Sequence, residues 1–278
     1  MVQEMFKVPA GAGYVPVVGE ANAALRHLSF DCLRLSAGQF WSGESGDEEV
    51  ALVTVGGKFS LKVEGRHAAD WSSIGGRANV FAGNPAAACV PRRSAYKVGA
   101  LSNCEIAVFK AKTDADAEPA LVNPDEVGIT NSGTANWRRD VRLIFPPGSG
   151  KTTRLIIGET LNPPGNWSGV PPHKHDALTG EEFPLEEVYY FRTLPSDGFG
   201  VQLFFGGKEA EAAHFIYDNT AAVFRSGYHT TGALPGVQVS YLWALAGSER
   251  TYKITTDPRF RWLANAEPVL RESQKYYR

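Results

Sequence analysis

The stretch Pro171-Pro172-His173-Lys174-His175-Asp176 decides how the rest of this chain is interpreted. Side chains alternate between the two faces of a β-strand, so His173 and His175 share one face. Glu187 begins an apolar stretch and can face the same interior, and His229 follows a glycine turn further along the chain. Three imidazoles and one carboxylate suit a divalent ion such as zinc, and also ferrous iron, manganese or nickel. The pattern therefore predicts a metal site with these four ligands.

The histidine pair is a weak signal by itself, because two exposed histidines with one residue between them are common by chance. Its surroundings give it weight, since a Gly/Pro-rich turn precedes it at 162–167. Four of the six histidines lie in this half of the chain, and three of those four fit the scheme. His214 lies beside Phe215 in an alternating stretch, and we interpret it as structural.

The length and charge of the chain are typical of a globular protein, and the length is sufficient for one large or two ordinary domains. The 278 residues carry a formal net charge of −2, with both signs mixed along the chain. Nucleic acid and anionic membrane surfaces are therefore not expected partners. The first seven residues lack a basic region followed by an apolar core, and no stretch approaches the roughly 20 apolar residues that span a bilayer. We expect neither a signal peptide nor a membrane span, and a cytoplasmic location.

The number and spacing of the cysteines also favour a cytoplasmic location. Cys32, Cys89 and Cys104 are odd in number, widely spaced and confined to the first half. This pattern is typical of reduced, buried thiols and does not fit a disulfide framework.

Short alternating stretches bounded by Gly, Pro, Asn or Ser recur along the chain and predict an all-β sandwich or barrel. In the first half we predict strands at 30–35, 50–55, 58–63, 79–81, 87–90 and 104–110. Gly56-Gly57 is predicted to form a hairpin turn between two of them. In the second half we predict strands at 136–145, 153–159, 185–192, 200–205, 221–224 and 237–245. Long helical patterns with caps are not recognisable, and Glu181-Glu182 is expected in a solvated loop.

A boundary between two domains is predicted near the middle of the chain. Residues 111–136 are polar, small and contain proline, which is typical of a linker. We therefore assign residues 1–125 to an N-terminal domain and residues 126–278 to a C-terminal domain.

The two halves also resemble each other, which indicates a duplication. Glu49 before its apolar strand matches Glu187, and Lys97 after 87–96 matches His229. The first half has no His-x-His before Glu49, and an ammonium group cannot act as a ligand unless it loses its proton. We therefore expect the N-terminal domain to lack metal ligands.

The motifs together resemble those of the cupins, and their repetition resembles a bicupin. More closely, 133–141, 164–168, 171–176, 185–190 and 227–229 are similar to the 5-deoxy-glucuronate isomerases of myo-inositol catabolism. A more distant likeness is to the isomerase of 5-keto-4-deoxyuronate. Two departures from the cupin pattern stand out: the loop between His175 and Glu187 is longer than usual, and Glu186 is an alternative ligand. We choose Glu187 because cupin ligands usually stand immediately before the first apolar residue of the strand, here Val188.

The resemblance implies two tandem cupin barrels and an aldose–ketose isomerase, that is, an intramolecular oxidoreductase. The expected reaction converts 5-deoxy-glucuronate to 2-deoxy-5-keto-gluconate through an enediol, with a bound metal stabilising the negative charge that forms. The expected partner is a small sugar acid, and a homo-oligomer is compatible with the chain. A ferrous-iron cupin dioxygenase and a non-enzymatic sugar-binding bicupin are the alternatives. A flavin or nicotinamide is not expected, because the chain has no dinucleotide-binding glycine motif after a strand.

Proton transfer between adjacent carbons needs a positioned group, and three residues are candidates for it: Tyr189, Glu159 and Lys174. Tyr189 lies two residues after Glu187 and shares its face, although it could equally be an aromatic residue that fills the barrel. Glu159 ends an apolar run and could face inward or simply cap a turn. Lys174 points away from the flanking histidines, so a surface role is its default.

Three further residues are candidates for substrate binding: Arg225, Gln202 and Tyr241. Arg225 suits a carboxylate because a guanidinium group can bind both oxygens. Its alternative is a turn residue on a solvated rim.

Overall fold

Twenty-two short strands account for most of the computed structural model, which describes residues 4–208 and 210–273. The strands of the first half are β1 (Met5–Lys7), β2 (Gly13–Val18), β3 (Leu28–Leu35), β4 (Phe40–Glu44), β5 (Glu48–Gly56), β6 (Lys58–Glu64), β7 (Ala69–Gly75), β8 (Ala87–Val90), β9 (Ala95–Ala100), β10 (Cys104–Lys112) and β11 (Ala120–Val122). Those of the second half are β12 (Gly128–Ser132), β13 (Arg139–Phe145), β14 (Ile156–Asn162), β15 (Trp167–Lys174), β16 (Glu186–Leu194), β17 (Phe199–Phe205), β18 (Ala212–Tyr217), β19 (Thr220–Phe224), β20 (Tyr228–Ala233), β21 (Gln238–Ala246) and β22 (Thr255–Thr256). The helices are α1 (Glu20–Ala23) and α2 (Arg261–Ser273), with 3-10 turns at Ala135–Trp137 and Pro258–Phe260.

The strands form four antiparallel sheets that pair into two barrels. The six-stranded sheet β11-β8-β5-β10-β3-β2 packs against the four-stranded sheet β4-β9-β6-β7 to form the N-terminal barrel. The seven-stranded sheet β1-β19-β16-β21-β14-β13-β12 packs against the five-stranded sheet β18-β17-β20-β15-β22 to form the C-terminal barrel. The prediction of an all-β protein with two tandem barrels is confirmed.

The two large sheets are buried on both faces because they also pack against each other. Along β5, Val50 and Leu52 face the interior of their own barrel, whereas Ala51 and Val53 join the apolar cluster between the barrels. Strands buried on both faces need apolar residues at every position. This explains why β5 is a continuous apolar run in the sequence.

Two glutamates connect the barrels reciprocally. Glu49 on β5 accepts hydrogen bonds from the consecutive backbone N–H groups of residues 153–155, at distances of 2.6 to 2.7 Å. Glu186 on β16 accepts from the backbone N–H groups of residues 26–28, at 2.8 to 3.1 Å. In each case the acceptor belongs to one barrel, and the donors lie at or just before the start of a strand of the other, β14 or β3.

These contacts correct the alignment of the two halves. Glu49 is the counterpart of Glu186, so Val50 stands where the second barrel has Glu187. Lys97 is exposed on the outer side of β9, with its Nζ 4.5 Å from the Phe40 ring centroid. The earlier matches of Glu49 with Glu187 and of Lys97 with His229 were therefore wrong by one residue. The interior of the N-terminal barrel is apolar at these positions.

Gly56-Gly57, between β5 and β6, was predicted to form a hairpin turn, and this prediction was wrong. β5 pairs with β8 and β10, and β6 pairs with β7 and β9, so the turn carries the chain from one sheet to the other. Gly57 has φ +85°, and a Cβ there would lie 2.2 Å from the Asn103 carbonyl oxygen. The turn therefore requires glycine for both conformation and space.

The expected boundary at residues 125 and 126 falls between β11, which joins the six-stranded sheet, and β12, which joins the seven-stranded sheet. The first strand does not follow this division, because β1 pairs with β19 of the C-terminal barrel. The segment predicted as a linker, 111–136, contains β11 and β12.

Two local predictions were wrong. Residues 79–81 form a turn instead of a strand, because the Asn79 side chain accepts a hydrogen bond from the N–H of Phe81. The helix α2 was not predicted, although its apolar residues are spaced as in an amphipathic helix, because Pro268 lies inside it and interrupts the helical pattern.

The cysteines and the helices of the structure can be compared with the predictions from the sequence. Cys32, Cys89 and Cys104 are free and buried, as predicted. Within the described residues, the helices lack the length and apolar character that crossing a membrane requires.

Candidate metal centre

Three strands of the C-terminal barrel bring predicted ligands together. β15 leads into His175, β16 carries Glu187 and β20 carries His229. Glu187 Oε2 lies 3.1 Å from His175 Nε2 and 3.3 Å from His229 Nε2. One ligand atom from each residue lies within 4.8 Å of the others, and all three residues are buried. We call these three residues the ligand cluster.

His173 lies beside the ligand cluster but outside it. Its backbone pairs with that of His229, and the two ring centroids are 4.5 Å apart. Its ring centroid is 6.3 Å from that of His175. Burial lowers the pKa of His173, and the neighbouring His229 lowers it further, so the imidazole is neutral at pH 7. Coordination by His173 stays a prediction.

His229 provides the test of whether these residues fit a cation. Both of its ring nitrogens are buried and, among the residues that the structure describes, have no hydrogen-bond partner of acceptable geometry. Such orphaned polar atoms are rare in protein interiors and call for an explanation. Two or three imidazoles with one carboxylate are the donors that borderline divalent cations prefer. The residues present therefore fit a divalent metal.

A backbone contact orients the second histidine. His175 Nδ1 lies 2.8 Å from the Leu185 carbonyl oxygen, so we assign the Nδ1 proton to this hydrogen bond. The Nε2 atom then faces Glu187. Fixing one ring nitrogen by a carbonyl is how proteins commonly orient histidine ligands.

The charges of the cluster are balanced around Glu187. Burial opposes ionisation of this carboxyl, but the hydrogen bond with His175 and the close contact with His229 Nε2 outweigh burial and hold its pKa at about 2. Burial also opposes a charge on His175, yet the contacts with Glu187 and with the Leu185 carbonyl raise its pKa. Without a cation, a proton on His175 therefore compensates the carboxylate. A divalent cation would displace that proton.

The long loop 176–185 is held in place by Glu182. This carboxylate accepts from the backbone N–H of Asp176 at 2.6 Å and from Lys174 Nζ at 3.0 Å. Asp176 in turn accepts from the N–H of Gly227, in the turn that precedes His229. Glu182 is 3% exposed, so its prediction as part of a solvated loop was wrong. The loop couples the two segments that carry histidines of the cluster.

A cavity of about 110 Å³ opens beside the cluster and is lined by His173 and Glu187. Aromatic residues form much of its wall, and Tyr189 stacks on Tyr241 with ring centroids 4.4 Å apart. Burial raises the pKa of both phenols, so both are neutral at physiological pH. Tyr241 donates a hydrogen bond to Ser168 Oγ at 2.8 Å. Among the described residues the Tyr189 hydroxyl has no hydrogen-bond partner, which leaves it available to a ligand.

The other expected site residues do not line this cavity. Glu159 is fully buried on the opposite face of β14, where it pairs with Arg77 and Arg142. This placement does not fit a general base, because two guanidinium groups hold the carboxylate away from the cavity. Lys174 pairs with Asp176 and Glu182 on the outer side of the strand, which does not fit a catalytic role either.

Of the three expected substrate-binding residues, one lines the cavity and two do not. Gln202 is buried, and its amide is satisfied by the carbonyls of Leu203 and Thr230 and by the hydroxyl of Thr231. Arg225 lies outside the cavity lining, with one guanidinium nitrogen donating to the Ala23 carbonyl. Neither placement fits contact with a substrate in this cavity. Tyr241 is the one of the three that lines it.

Several residues of the cavity wall were not predicted from the sequence, and Arg139 and Tyr252 are two of them. Arg139 belongs to the segment 133–141, which carried the family resemblance, so a signal was present. Tyr252 lies in a loop without periodicity and had none.

A larger cleft of about 590 Å³ lies between the barrels, away from the ligand cluster. Its charged residues satisfy one another, because Glu105 pairs with both Arg34 and Arg192. It therefore offers no comparable group of free metal-binding or catalytic atoms among the described residues.

Two cupin barrels in one chain, the second with a buried His-Glu-His cluster, define a bicupin. The solved structures agree: an IolB-like protein from Salmonella typhimurium LT2 superposes with a TM-score of 0.89 at 27% identity, covering 94% of this chain and 99% of that one. The oxalate decarboxylase of Lactobacillus farciminis superposes with a TM-score of 0.67 at 11% identity, covering 95% and 91%, and supports the fold alone.

The sequence comparisons identify the family. The profile of the KduI/IolB family matches residues 5–263, and the chain belongs to this family. A curated relative, the 5-deoxy-glucuronate isomerase of Geobacillus thermodenitrificans strain NG80-2, is 33% identical over 263 residues. The alignment covers 93% of this chain and 94% of the relative.

Proposed function

We propose that this protein is a metal-dependent aldose–ketose isomerase that converts 5-deoxy-glucuronate to 2-deoxy-5-keto-gluconate through an enediol. One observation carries the proposal: the buried cluster of His175, Glu187 and His229 borders a cavity in a member of the KduI/IolB family. Two relatives named 5-deoxy-glucuronate isomerase align with this chain over nearly their whole length. The reaction leaves the oxidation level of the molecule unchanged, so it needs no redox cofactor.

The cation would be held by the ligand cluster, with His173 as the proposed fourth ligand. A divalent metal bound there would supply Lewis-acid polarisation of the substrate carbonyl and its neighbouring hydroxyl. Zinc is the proposed ion, with iron, manganese and nickel as the alternatives that the same donors accept. The ring nitrogens of His229, which lack a hydrogen bond among the described residues, and the ionised carboxyl of Glu187 support this assignment.

The two stacked tyrosines would act on the substrate oxygens. Burial raises the pKa of Tyr189, so its hydroxyl stays protonated, and since it has no protein partner among the described residues it can donate a hydrogen bond to an oxygen of the sugar. Tyr241 lines the cavity and donates to Ser168, so its oxygen can accept a hydrogen bond from a sugar hydroxyl. We therefore propose Tyr189 as the proton-carrying group and Tyr241 as a substrate-binding group.

Proton NMR in D₂O tests the proposal with the metal-loaded protein and 5-deoxy-glucuronate. We expect the aldehyde-hydrate signals to disappear and the hydroxymethyl signals of the ketose acid to appear. His229→Ala should abolish conversion and bound metal, and the matched control Lys97→Ala, on the outer side of the first barrel, should do neither. Full conversion by a metal-free sample would reject the metal dependence.

Measurement of oxygen consumption with an oxygen electrode distinguishes the isomerase from the alternative dioxygenase. The isomerase consumes no oxygen, whereas a ferrous-iron dioxygenase would consume it in proportion to the substrate used. Binding of the sugar without conversion would point instead to a non-enzymatic role.

A further inference from the structure

Arg139, a cation in the cavity wall, has surroundings that differ from those of Arg34, Arg77, Arg142 and Arg192. Arg139 is the first residue of β13, and its side chain lines the same cavity as Glu187 and His173. Because residues two apart on a strand share a face, Val141 follows it into the cavity wall, opposite Thr160 of β14. The guanidinium group is thus built into the barrel interior.

The hydrogen bonding of Arg139 is incomplete. One of its terminal nitrogens, Nη1, donates to the carbonyls of Trp137 and Val170, each at 3.3 Å. Within residues 4–208 and 210–273, Nε and Nη2 have no partner, and no carboxylate lies within ion-pair distance. Glu267, an acidic residue near enough to influence its pKa, is already bound to Arg271 and to the N–H of Gly133.

Other shielded arginines use their donors within the protein: Arg250 pairs with no carboxylate among the described residues, but each of its guanidinium nitrogens donates to a carbonyl or hydroxyl group. Arg34, Arg77, Arg142 and Arg192 each form an ion pair with a glutamate at 3.0 Å or less. Burial of a guanidinium without an anion is unfavourable, and arginine does not escape by losing its proton. An unpaired cation that faces a cavity therefore indicates that the missing anion is a ligand.

We propose that Arg139 binds the carboxylate of the sugar acid and so makes the enzyme specific for aldoses that end in an acid group. This inference rests on the proposed isomerase function. The acid end of the substrate would lie against the two free guanidinium nitrogens, and the carbonyl end would face the ligand cluster on the same cavity. Tyr189, Tyr241 and Tyr252 line the wall that the carbon chain would contact.

The assignment differs from the one that the sequence suggested. Arg225 was the expected carboxylate partner, but it lies outside the cavity lining. Arg139 has both the position and the unused donors. A planar group with two parallel N–H donors matches a carboxylate better than a single ammonium does.

The experiment compares an acid with its neutral analogue. Steady-state kinetics would be measured for 5-deoxy-glucuronate and for 5-deoxy-glucose, in which a hydroxymethyl group replaces the carboxylate. We expect Arg139→Gln to lower kcat/KM for the acid by at least about 100-fold, mainly through KM, as expected when one partner of a shielded charge pair is removed. For the neutral sugar, kcat/KM of Arg139→Gln should stay within about threefold of the wild-type value, because this sugar has no carboxylate for Arg139 to bind.

Two variants control for trivial effects. Arg138→Gln removes the same charge from the adjacent, exposed residue, and its kinetics should match the wild type. Arg139→Lys keeps the charge but loses the two-pronged contact, so its loss on the acid should be intermediate. Metal content and melting temperature, measured for every variant, should stay close to the wild type.

Calorimetry makes the inference testable without turnover. The ligand is the alditol acid that forms when borohydride reduces the substrate aldehyde, which keeps the carboxylate but cannot isomerise. Wild type should bind it, and Arg139→Gln should bind it at least about 100-fold more weakly, for the same reason as above.

The outcomes separate the two hypotheses. A wild type that binds the alditol acid through Arg139 but converts no sugar rejects the isomerase and keeps the carboxylate site. Equal losses on the acid and the neutral sugar, or unchanged binding of the alditol acid by Arg139→Gln, would overturn the role of Arg139. If Arg139→Gln fails to fold, the acid-to-neutral ratio of Arg139→Lys decides, and a wild-type ratio there also overturns it.

Discussion

Glu49 and Glu186 occupy equivalent positions in the two barrels, and each carboxylate accepts three consecutive backbone N–H groups from the opposite barrel. The residue that follows each of them faces the interior of its own barrel. In the first barrel that residue is Val50, and in the second it is Glu187. The barrel interface and the candidate metal centre therefore share one strand, and the contact that fixes Glu186 also fixes the start of the strand that carries Glu187.

The first prediction concerns this pair of contacts. We expect Glu49→Gln to lower the free energy of unfolding by about 2 kcal/mol, because one amide oxygen cannot satisfy three buried N–H donors. Glu49→Ala should lower it further. Glu186→Gln should destabilise less, because Glu186 is more exposed, but it should also weaken metal binding, because it precedes Glu187.

Urea unfolding and metal titration check this expectation. Glu181→Gln is the matched control, since that side chain is exposed, and it should change stability by no more than about 0.5 kcal/mol. If Glu49→Gln weakened metal binding as much as Glu186→Gln, the proposed link between the Glu186 contact and the ligand strand would be wrong.

The sequence was sufficient for most strands of the two large sheets, for the existence of the duplication and for the neighbourhood of the ligands, because these depend on local alternation and on turn residues. Alternation along 173–175 and along 187–189 was enough to place His175, Glu187 and Tyr189 toward one interior. It could not distinguish the two faces of a strand that is buried on both sides. For that reason Glu159 was expected at the site, although it faces the other barrel.

Pairing between sheets was also beyond the sequence. The Gly56-Gly57 turn has the composition of a hairpin, and only the sheet partners of β5 and β6 reveal it as a corner. Likewise, nothing local predicts that β1 joins the second barrel or that Arg139 lacks a carboxylate partner among the described residues. Both facts depend on contacts between distant parts of the chain.

The second prediction concerns metal binding by the ligand cluster. Glu187→Gln and His229→Ala should each reduce the affinity for a divalent metal by at least about 100-fold, because each removes a direct ligand, and loss of an outer partner alone costs 10- to 100-fold. Activity should fall in parallel. His173→Ala should have a smaller effect on affinity, since its ring lies outside the group of atoms within 4.8 Å.

Elemental analysis after dialysis and titration with a chromophoric chelator measure these effects, with Lys97→Ala as the control. Equal losses for His173→Ala and His229→Ala would make His173 a full ligand. An unchanged metal content in His229→Ala would reject the cluster as the metal site.

The third prediction is the pH dependence of metal affinity. Below its pKa, His175 carries a proton that must leave before a metal can bind, so affinity falls as the pH falls. The contact with Glu187 raises this pKa above the ordinary value of 6.5, so the loss should begin above pH 6.5. Glu187 stays ionised down to about pH 2, and His173 is neutral because its pKa is lowered, so neither adds a proton near neutrality.

Chelator competition between about pH 5.5 and about pH 8 measures the slope, which should approach tenfold per pH unit below the pKa of His175. Binding should also release a proton, seen as a dependence of the calorimetric heat on the buffer. A flat affinity profile across this range would show that the proton on His175 does not compete with the metal.

The fourth prediction decides between two roles for Glu159. Its carboxylate is fully buried between Arg77 and Arg142, whose side chains are 2% and 10% exposed. Glu159→Gln leaves two shielded guanidinium groups without an anion, so we expect it to lower the free energy of unfolding by about 3 to 5 kcal/mol. The pH dependence of kcat/KM in the remaining folded enzyme should keep its shape. Tyr189→Phe is the matched comparison at the cavity: it should leave stability within about 1 kcal/mol and reduce kcat, because it removes only a hydroxyl that has no partner in the described part of the chain. If instead Glu159→Gln kept wild-type stability and lost the acidic limb of its pH profile, Glu159 would be the base, and the cavity beside Glu187 would not be where the proton moves.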